Sequence, residues 1–280
     1  MSKKNQSNRL TVQQKAGEGV IGIFGKEAKE HDTEVSSISL LVKEKLESEY
    51  PNLTFRYRKS ITKEEINKAL QAIDDDLGRT LFVKNSKIKP DGGIIEVKDD
   101  NNNWRVVLVS EAKHQGKDIE NIKIGKQVGK ANNQDLMVAG NAIERAYKNI
   151  AEIANFMLTE TYFPYVIFLE GSNFITHDVC VKRPDGRTVT LYANSGALNR
   201  LDRLTAANYG MKINTNVCKN KIINKKDCSI MLQATSIFTQ HNGEKWNQED
   251  MLNIMIEIAK TSLKMLGRDL FNQLTIKTKK

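Results

Sequence analysis

Two carboxylates and a lysine are the residues of this chain best suited to chemistry. Asp91 follows Pro90, and Glu111 and Lys113 lie in the stretch Glu111-Ala112-Lys113, on the far side of a predicted β-hairpin. Carboxylate oxygens are ligands that Mg²⁺ prefers, and a metal ion can assist the hydrolysis of a phosphodiester. The three residue types therefore predict metal-assisted cleavage of nucleic acid.

The hairpin determines whether these side chains can meet. It is predicted from two β-rich runs and the turn-forming run between them, at 92–98, 104–110 and 99–103. A loop symmetric about Asn101 would place Asp91 directly opposite Glu111, with Cβ atoms roughly 4.5–5.5 Å apart. Lys113 would share the face of Glu111 because side chains alternate along a strand. Two carboxylates this close repel each other unless a cation lies between them.

The short motif is weakly specific without this geometry. Pro-Asp-Gly-Gly is a turn signal in its own right, and 28% of the residues are charged, so Glu-x-Lys also arises by chance. Glu27 begins such a motif in a polar stretch without strand pattern, and Glu96 begins another on the face opposite Asp91. His114 is expected to point away from Lys113 and receives no catalytic role.

Composition favours a single α/β domain that spans residues 1–280, because 39% of the residues are hydrophobic and no Gly/Ser-rich linker divides the chain. A net charge of +9 favours a polyanion such as nucleic acid as partner, although a solvated basic surface is the alternative. The 3 cysteines are widely spaced and form no zinc motif, which predicts unpaired thiols in a reducing compartment. No signal peptide or long apolar run is evident, so a cytoplasmic protein is expected.

Periodicity predicts helices and strands around the hairpin. A first helix is marked by Val35, Ile38, Leu41, Val42 and Leu46. Strands are predicted at 53–58, 81–83 and 165–169, the last of them buried on both faces. Thr62 and Glu65 form a capping-box pattern that opens a helix through Ile66, Leu70 and Ile73. The result is a mixed sheet with helices on its faces.

Three segments lie outside this plan. Residues 1–17 form a basic N-terminal arm. Residues 115–133 form a connector that is too poor in apolar residues to join the core and carries Lys117, Lys123, Lys126 and Lys130. Residues 173–191 are predicted to form a hairpin that turns at 183–187. The last two segments are interpreted as arms that could wrap a duplex.

A further helix is predicted to begin near Asn141, which has its reciprocal capping partner at Glu144 and Arg145 in the first turn. Its buried face is marked by Ile143, Ala146, Ile150, Ile153, Ala154 and Met157. The helix dipole disfavours a cation at this end, which suits a helix directed at nucleic acid. Asn can bond adenine and Arg can bond guanine in the major groove, whereas the alternative is a cap beside a solvated arginine.

Arg200 and Arg203 form a second basic pair. They would lie on the same side of a helix, where they could contact bases or form a surface ion-pair cluster with Asp202. The residues alone leave both possibilities open.

Together these residues resemble the EcoRI family of type II restriction endonucleases, within the PD-(D/E)xK nuclease superfamily. The resemblance rests on Asp91, on Glu111-Ala112-Lys113 and on the stretches 139–145 and 198–210. Further similar stretches at 6–11 and 266–271 extend it over nearly the whole chain. The short catalytic motif is shared by many nucleases, whereas the stretches at 139–145 and 198–210 are characteristic of this family.

The resemblance implies a restriction-endonuclease fold with a five-stranded mixed central sheet and arms that embrace DNA. It implies a Mg²⁺-dependent homodimer that cuts double-stranded DNA at the palindrome GAATTC after G on each strand. The products would carry 5′-phosphates and four-base 5′ overhangs. A two-fold dimer on a two-fold site supplies one active centre per strand. A DNA methyltransferase in the host would protect its own sites.

The same resemblance implies residue roles. Asp91, Glu111 and the carbonyl of Ala112 would bind Mg²⁺, and Lys113 would position or deprotonate the attacking water. The implied DNA contacts are Asn141 and Arg145 with adenines, Arg200 and Arg203 with guanine, and Met137, Ala139, Gly140 and Ala142 with pyrimidines. Glu144 and Lys130 belong to the same DNA-binding set. Val138 replaces an alanine of the family, which matters if the outer base pair requires a small side chain.

Two other functions are compatible with parts of this pattern. A nuclease of the same fold with another specificity, or one acting in repair or on junctions, would need the metal site without these base contacts. A non-catalytic basic DNA-binding protein would need neither carboxylates nor lysine to converge.

Overall fold

The computed structural model describes residues 26–79, 85–126, 140–160, 162–193, 221–225, 228–232, 235–240 and 242–267, with the backbone alone at 140–142, 221–225 and 228–232. The helices in these ranges are α1 (Lys26–Glu49), α2 (Lys63–Gln71), α3 (Asp118–Lys123), α4 (Gly140–Phe156) and α5 (Gln248–Met265). The strands are β1 (Phe55–Arg58), β2 (Ile61–Thr62), β3 (Lys87–Ile88), β4 (Gly93–Lys98), β5 (Trp104–His114), β6 (Tyr165–Glu170), β7 (Val179–Lys182), β8 (Thr188–Leu191), β9 (Lys221–Lys225), β10 (Cys228–Leu232) and β11 (Ser236–Thr239).

A five-stranded sheet of order β1-β4-β5-β6-β11 forms the centre of the fold. The pairs β1–β4 and β4–β5 are antiparallel, whereas β5–β6 and β6–β11 are parallel. The predicted α/β architecture with a mixed five-stranded sheet is therefore confirmed. Strand β6 is buried along its whole length, as its unbroken apolar run predicts.

Helices α1 and α5 cover one face of the sheet. Their core includes Val35, Ile38, Val42, Leu46, Met251, Met255 and Leu263. The helix predicted from Val35, Ile38, Leu41, Val42 and Leu46 is thus confirmed, although Leu41 itself is 46% exposed. The helix already presents Ile38, Val42 and Leu46 to the sheet, and Leu41 lies to one side of that stripe.

Helices α2 and α4 cover the opposite face. The predicted capping box at the start of α2 is present, because the Thr62 side chain accepts from the Glu65 backbone and the Glu65 side chain accepts from the Thr62 backbone. Ile66 is buried, but Ile73 lies beyond the end of α2 and is 44% exposed, which contradicts its predicted place in the helix. The strand predicted at 81–83 lies outside the described residues.

Helix α4 presents the predicted buried face, with Ile143, Ala146, Ile150 and Ile153 in the core. It begins at Gly140, so Asn141 lies inside the first turn and is not the N-cap that the sequence predicted. The predicted start is nevertheless correct to one residue.

The two predicted excursions pack against each other. Part of the connector at 115–133 forms α3, whose Ile119 and Ile122 are buried against Val181 and Leu191. The expectation that this connector is too polar for a core is therefore wrong, because two isoleucines on one short helix suffice for a small cluster. Strands β7 and β8 form the hairpin predicted at 173–191, and its turn is closed by a hydrogen bond from Arg183 N to Arg187 O of 2.8 Å.

The N-terminal arm at 1–17 lies outside the described residues, and the single domain over 1–280 stays a prediction. Within the described part of the chain, none of the helices combines the length and apolar character needed to cross a membrane.

Candidate active site

The turn that carries Asp91 is built from two glycines. Gly93 has a φ of +81°, and a Cβ on it would lie 2.5 Å from the Tyr57 ring. A Cβ on Gly92 would lie 2.2 Å from the Ser110 hydroxyl. Because neither position accepts a side chain, Gly92 is required here by close packing, and Gly93 by close packing and backbone conformation. The turn fixes Asp91 immediately before β4.

The register of the hairpin differs from the symmetric prediction. Near the turn, Glu96 pairs with Val106 and Lys98 with Trp104, as a loop centred on Asn101 requires. A β-bulge between Ile95 and Glu96 then shifts the pairing by one residue, so Gly93 lies opposite Ser110. Asp91 precedes the strand and has no ladder partner, which contradicts its predicted position directly opposite Glu111. A bulge leaves one residue unpaired and reverses the alternation of side chains beyond it.

Asp91, Glu111 and Lys113 nevertheless converge. The Lys113 ammonium forms an ion pair with Asp91, lies 2.5 Å from Glu111 Oε1 and donates to the Ala112 carbonyl at 2.8 Å. The lysine thus bridges the turn and the end of β5. Its position on the face of Glu111 agrees with the predicted alternation.

The charges of these groups are strongly coupled. Burial, opposed by the Lys113 ammonium and reinforced by Asp91, raises the pKa of Glu111 to about 7. Burial disfavours the charged ammonium of Lys113, but Glu111 and Asp91 outweigh it and raise the pKa of the lysine. Lys113 is therefore protonated in this state, so it neutralises and orients its neighbours and does not accept a proton.

The donor set fits a hard divalent cation. Two carboxylates and one carbonyl oxygen surround the Lys113 ammonium, which lies where positive charge is needed. Oxygen ligands suit Mg²⁺ or Mn²⁺ rather than zinc. Among the described residues, no group of three or more His, Cys, Asp or Glu side chains could hold a metal. A cation at this site would therefore depend on these three oxygens and on water or substrate for its remaining ligands.

Two neighbours of Glu111 were missed by the sequence analysis. The Asn149 amide donates to both Glu111 oxygens, at 3.1 and 3.2 Å, and the Tyr165 hydroxyl donates to Oε2 at 3.0 Å. For Tyr165, the sequence did contain a signal, because a residue with a hydroxyl group begins an otherwise apolar strand. Asn149 gave no comparable signal beyond its place one helical turn after Arg145.

Asp32, on α1, is a third carboxyl group near the site that the sequence analysis did not identify. Burial, followed by the nearby charge of Asp91, raises its pKa to about 6. No motif connects it to the hairpin, because α1 is brought to the site by tertiary packing alone.

A separate buried network lies behind the site. Glu170 accepts from the Trp246 backbone at 2.9 Å, and its oxygens lie 3.1 Å from His31 Nδ1 and 3.3 Å from His114 Nδ1. Burial alone would raise the pKa of Glu170, but His114 and His31 lower it to about 2. His114 thus points away from Lys113, as predicted, and supports the end of β6.

The two other Glu-x-Lys motifs lie elsewhere. Glu27 forms an ion pair with Lys117, and the buried Glu96 pairs with Arg56 at 2.6 Å and Arg58 at 3.1 Å. Both glutamates thus pair with basic residues other than Lys113, so the convergence around Lys113 distinguishes the third motif.

The predicted DNA-contacting residues are only partly described. Gly140, Asn141, Ala142, Glu144 and Arg145 lie in the first turns of α4, and the side chains of Glu144 and Arg145 are exposed. Residues that lie outside the described ranges are Lys130, Met137, Val138, Ala139, Arg200 and Arg203. The roles of all these residues stay predictions.

Comparison with known proteins gives a consistent family. Residues 17–273 match the family described as restriction endonuclease EcoRI. The chain is 66% identical over 277 residues to the type II restriction enzyme EcoRI of Escherichia coli, covering 99% of this chain and 100% of that protein. It is 46% identical over 267 residues to the type II restriction enzyme RsrI of Cereibacter sphaeroides, covering 95% of this chain and 96% of that protein.

Proposed function

The chain belongs to the EcoRI family of type II restriction endonucleases, and from this premise we propose that it cuts double-stranded DNA at GAATTC with Mg²⁺ as cofactor. Cleavage after G on each strand leaves 5′-phosphates and four-base 5′ overhangs. The observation that carries the proposal is the meeting of Asp91, Glu111 and the Ala112 carbonyl around the Lys113 ammonium.

The chain's own residues divide the work of cleavage. Asp91, Glu111 and the Ala112 carbonyl would hold Mg²⁺. When bound, the ion would supply Lewis-acid polarisation of the scissile phosphate and stabilisation of charge on the leaving 3′ oxygen. Lys113, which its acidic neighbours keep protonated, holds the attacking water by donating hydrogen bonds and offsets negative charge on the phosphate.

Sequence recognition is assigned to two basic segments. Asn141 and Arg145 on α4 contact adenines, and Arg200 and Arg203 contact guanine through paired hydrogen bonds. Met137, Ala139, Gly140 and Ala142 contact the pyrimidines, and Glu144 and Lys130 complete the DNA-binding set. These assignments are supported by the family resemblance in the stretches 139–145 and 198–210.

Two copies of the chain are proposed to act together in the cytoplasm on the palindrome, because a two-fold DNA site matches a two-fold dimer. The excursions that contain α3 and the β7–β8 hairpin are proposed to embrace the duplex. A methyltransferase of the same specificity would protect the host DNA without forming a stable complex with this protein.

The test uses two linear DNA fragments that differ by one base pair within a single GAATTC. With Mg²⁺, the intact site is expected to yield two products whose ends, read by primer extension, lie four bases apart on the two strands. A chelator should stop the reaction, and added Mg²⁺ should restore it. Cleavage of the altered fragment at an equal rate would contradict the proposed specificity, and nicking that depends on DNA structure would favour a junction or repair nuclease.

A further inference from the structure

The buried Glu111 carboxylate is held by side chains from two different elements. On the sheet side, Tyr165 donates to Oε2 at 3.0 Å, and the Glu111 side chain has no exposed surface. On the helix side, the Asn149 amide spans both oxygens, at 3.1 and 3.2 Å. A carboxylate whose two oxygens both accept hydrogen bonds has a restricted orientation, as outer-sphere partners of metal ligands usually impose.

Tyr165 is a fixed support. It pairs with Val109 in the parallel ladder between β5 and β6, two residues before Glu111. Its ring is fully buried and stacks on Phe163 at 5.6 Å between centroids. Because β5 and β6 belong to one sheet, the Tyr165 hydroxyl and the Glu111 carboxylate keep their relative positions when a surface helix shifts.

Asn149 is attached to a different part of the molecule. It lies on α4, one turn after Arg145, and its amide also lies 3.4 Å from the Lys89 carbonyl just before the turn of Asp91. At a rise of about 1.5 Å per residue, Asn149 is roughly 6 Å along the axis from Arg145 and roughly 12 Å from Asn141. One amide therefore connects the helix assigned to base recognition with both carboxylate-bearing segments.

The lengths of these hydrogen bonds make the connection sensitive to small movements. Helices shift by about 1–2 Å in many protein transitions. A displacement of that size would carry the Asn149 amide beyond hydrogen-bonding distance of Glu111, while Tyr165 would stay in place. The carboxylate would then keep one support and lose the other.

We propose that Asn149 is a positioning residue that couples the placement of α4 on DNA to the orientation of the Glu111 carboxylate. The proposal rests on the proposed function, because it takes the first turns of α4 as a recognition element. Correct docking of α4 sets the Asn149 amide against Glu111 and favours metal-assisted cleavage. Misdocking on a wrong base pair weakens that contact, so discrimination at the cleavage step exceeds discrimination in binding.

The experiment compares Asn149→Ala and Tyr165→Phe with matched controls. Asn155→Ala removes an exposed asparagine from the same helix, and Tyr162→Phe removes a hydroxyl from a tyrosine packed on the opposite face of the sheet. Single-turnover cleavage is measured against Mg²⁺ concentration on GAATTC and on a one-base variant. DNA affinity without metal is measured by fluorescence anisotropy. Thermal unfolding checks the fold, and Asn149→Ala should not lower Tm because Asn149 is partly exposed and alanine favours helix.

Both variants should slow cleavage of GAATTC and raise the Mg²⁺ concentration for half-maximal rate, by about 10–100-fold as for other outer-sphere partners. Metal-free DNA affinity should change by no more than about threefold, which is under 1 kcal/mol. Tyr165→Phe should slow cleavage of both DNA sequences by the same factor. Asn149→Ala should slow cleavage of GAATTC more than cleavage of the one-base variant, and so lower the ratio of the two cleavage rates. The two controls should match the wild type.

An unchanged rate and Mg²⁺ requirement in Asn149→Ala would overturn the positioning role. An unchanged ratio of the two cleavage rates in Asn149→Ala would overturn the proposed coupling. Wild-type cleavage in the same assay reports on the proposed function separately, and a wild type that cuts neither sequence would overturn the function and with it this inference.

Discussion

Replacement of Glu111 by glutamine changes the charge of the site with little change in shape. Without metal and at a pH above the Glu111 pKa of about 7, Asp91 and Glu111 carry two negative charges against one positive charge on Lys113. Glu111→Gln leaves Asp91 paired with Lys113 and no net charge to attract a cation. The side chain retains an oxygen that can still accept from Tyr165 and Asn149, so the fold should persist.

The size of the effect follows from charge and distance. Two unit charges about 4 Å apart interact by about 4 kcal/mol at an effective dielectric constant of about 20, so a divalent ion loses about 8 kcal/mol of attraction. Water and the remaining oxygen ligands recover much of this. If only a third of this attraction is lost from the binding free energy, about 2.7 kcal/mol, Mg²⁺ affinity falls by about 100-fold. The Mg²⁺ concentration for half-maximal rate should therefore rise by about 100-fold in Glu111→Gln, and cleavage should fall by about the same factor at Mg²⁺ concentrations well below half-saturation of the wild type.

DNA binding should respond in the opposite sense. Removing a negative charge beside the expected phosphate should leave metal-free affinity unchanged or increase it slightly. The assays are single-turnover cleavage against Mg²⁺ concentration and metal-free fluorescence anisotropy on GAATTC. Glu64→Gln is the matched control, since Glu64 is exposed and forms only a surface pair with Lys68.

Cleavage by Glu111→Gln within tenfold of wild type at Mg²⁺ concentrations well below half-saturation of the wild type would refute the metal-ligand role of Glu111. Loss of metal-free DNA affinity by a folded Glu111→Gln variant would also refute the reasoning, because it would place this carboxylate in DNA binding rather than in metal-assisted cleavage.

Three further predictions address the turn, the buried network and base recognition. Gly93→Ala should lower the free energy of unfolding in urea by about 3 kcal/mol or more and slow cleavage, because φ is positive and the Tyr57 ring leaves no room for a Cβ. The control Gly186→Ala, where a Cβ meets open space, should lower it by about 1 kcal/mol and leave cleavage unchanged. Equal losses of stability would contradict the steric argument. Glu170→Gln should lower the free energy of unfolding by about 3 kcal/mol at neutral pH, since the folded-state pKa of Glu170 is lowered from 4.5 to about 2. The stabilisation by Glu170 is present above pH 4.5 and is lost as the pH falls toward 2. A difference in unfolding free energy between the variant and the wild type that does not shrink in acid would contradict this prediction. Arg200→Lys should weaken GAATTC binding relative to one-base variants, because an ammonium cannot form the two-pronged guanine contact, and unchanged discrimination would remove Arg200 from the recognition set.

Much of the fold was predictable because local signals agreed with the tertiary structure. The capping box at Thr62, the buried stripe of α4 and the apolar run of β6 each correspond to an observed element. The exposed Leu41 and Ile73 show the limit of this reasoning. An apolar residue at helical spacing is buried only when the neighbouring elements reach it, and their positions are not encoded locally.

The register of the hairpin was the main error at the site. The turn around Asn101 was placed correctly, but the bulge at Ile95 and Glu96 changed which residues face each other. No residue at the bulge itself signals it, since neither glycine nor proline occurs at Ile95, Glu96 or the opposing residues 106–108. The long Lys113 side chain brings the charged groups together despite the shift, because it can reach both Asp91 and Glu111.

By itself, the sequence determined the available chemistry, because residue type dictates what Asp91, Glu111 and Lys113 can bind. It also determined the local elements, because capping, periodicity and turn formation depend on near neighbours. The tertiary structure alone decided that Asn149 and Tyr165 hold Glu111, and that Glu111 is buried enough for its pKa to rise to about 7. Burial and hydrogen bonds between distant segments arise from packing, so no local pattern could specify them.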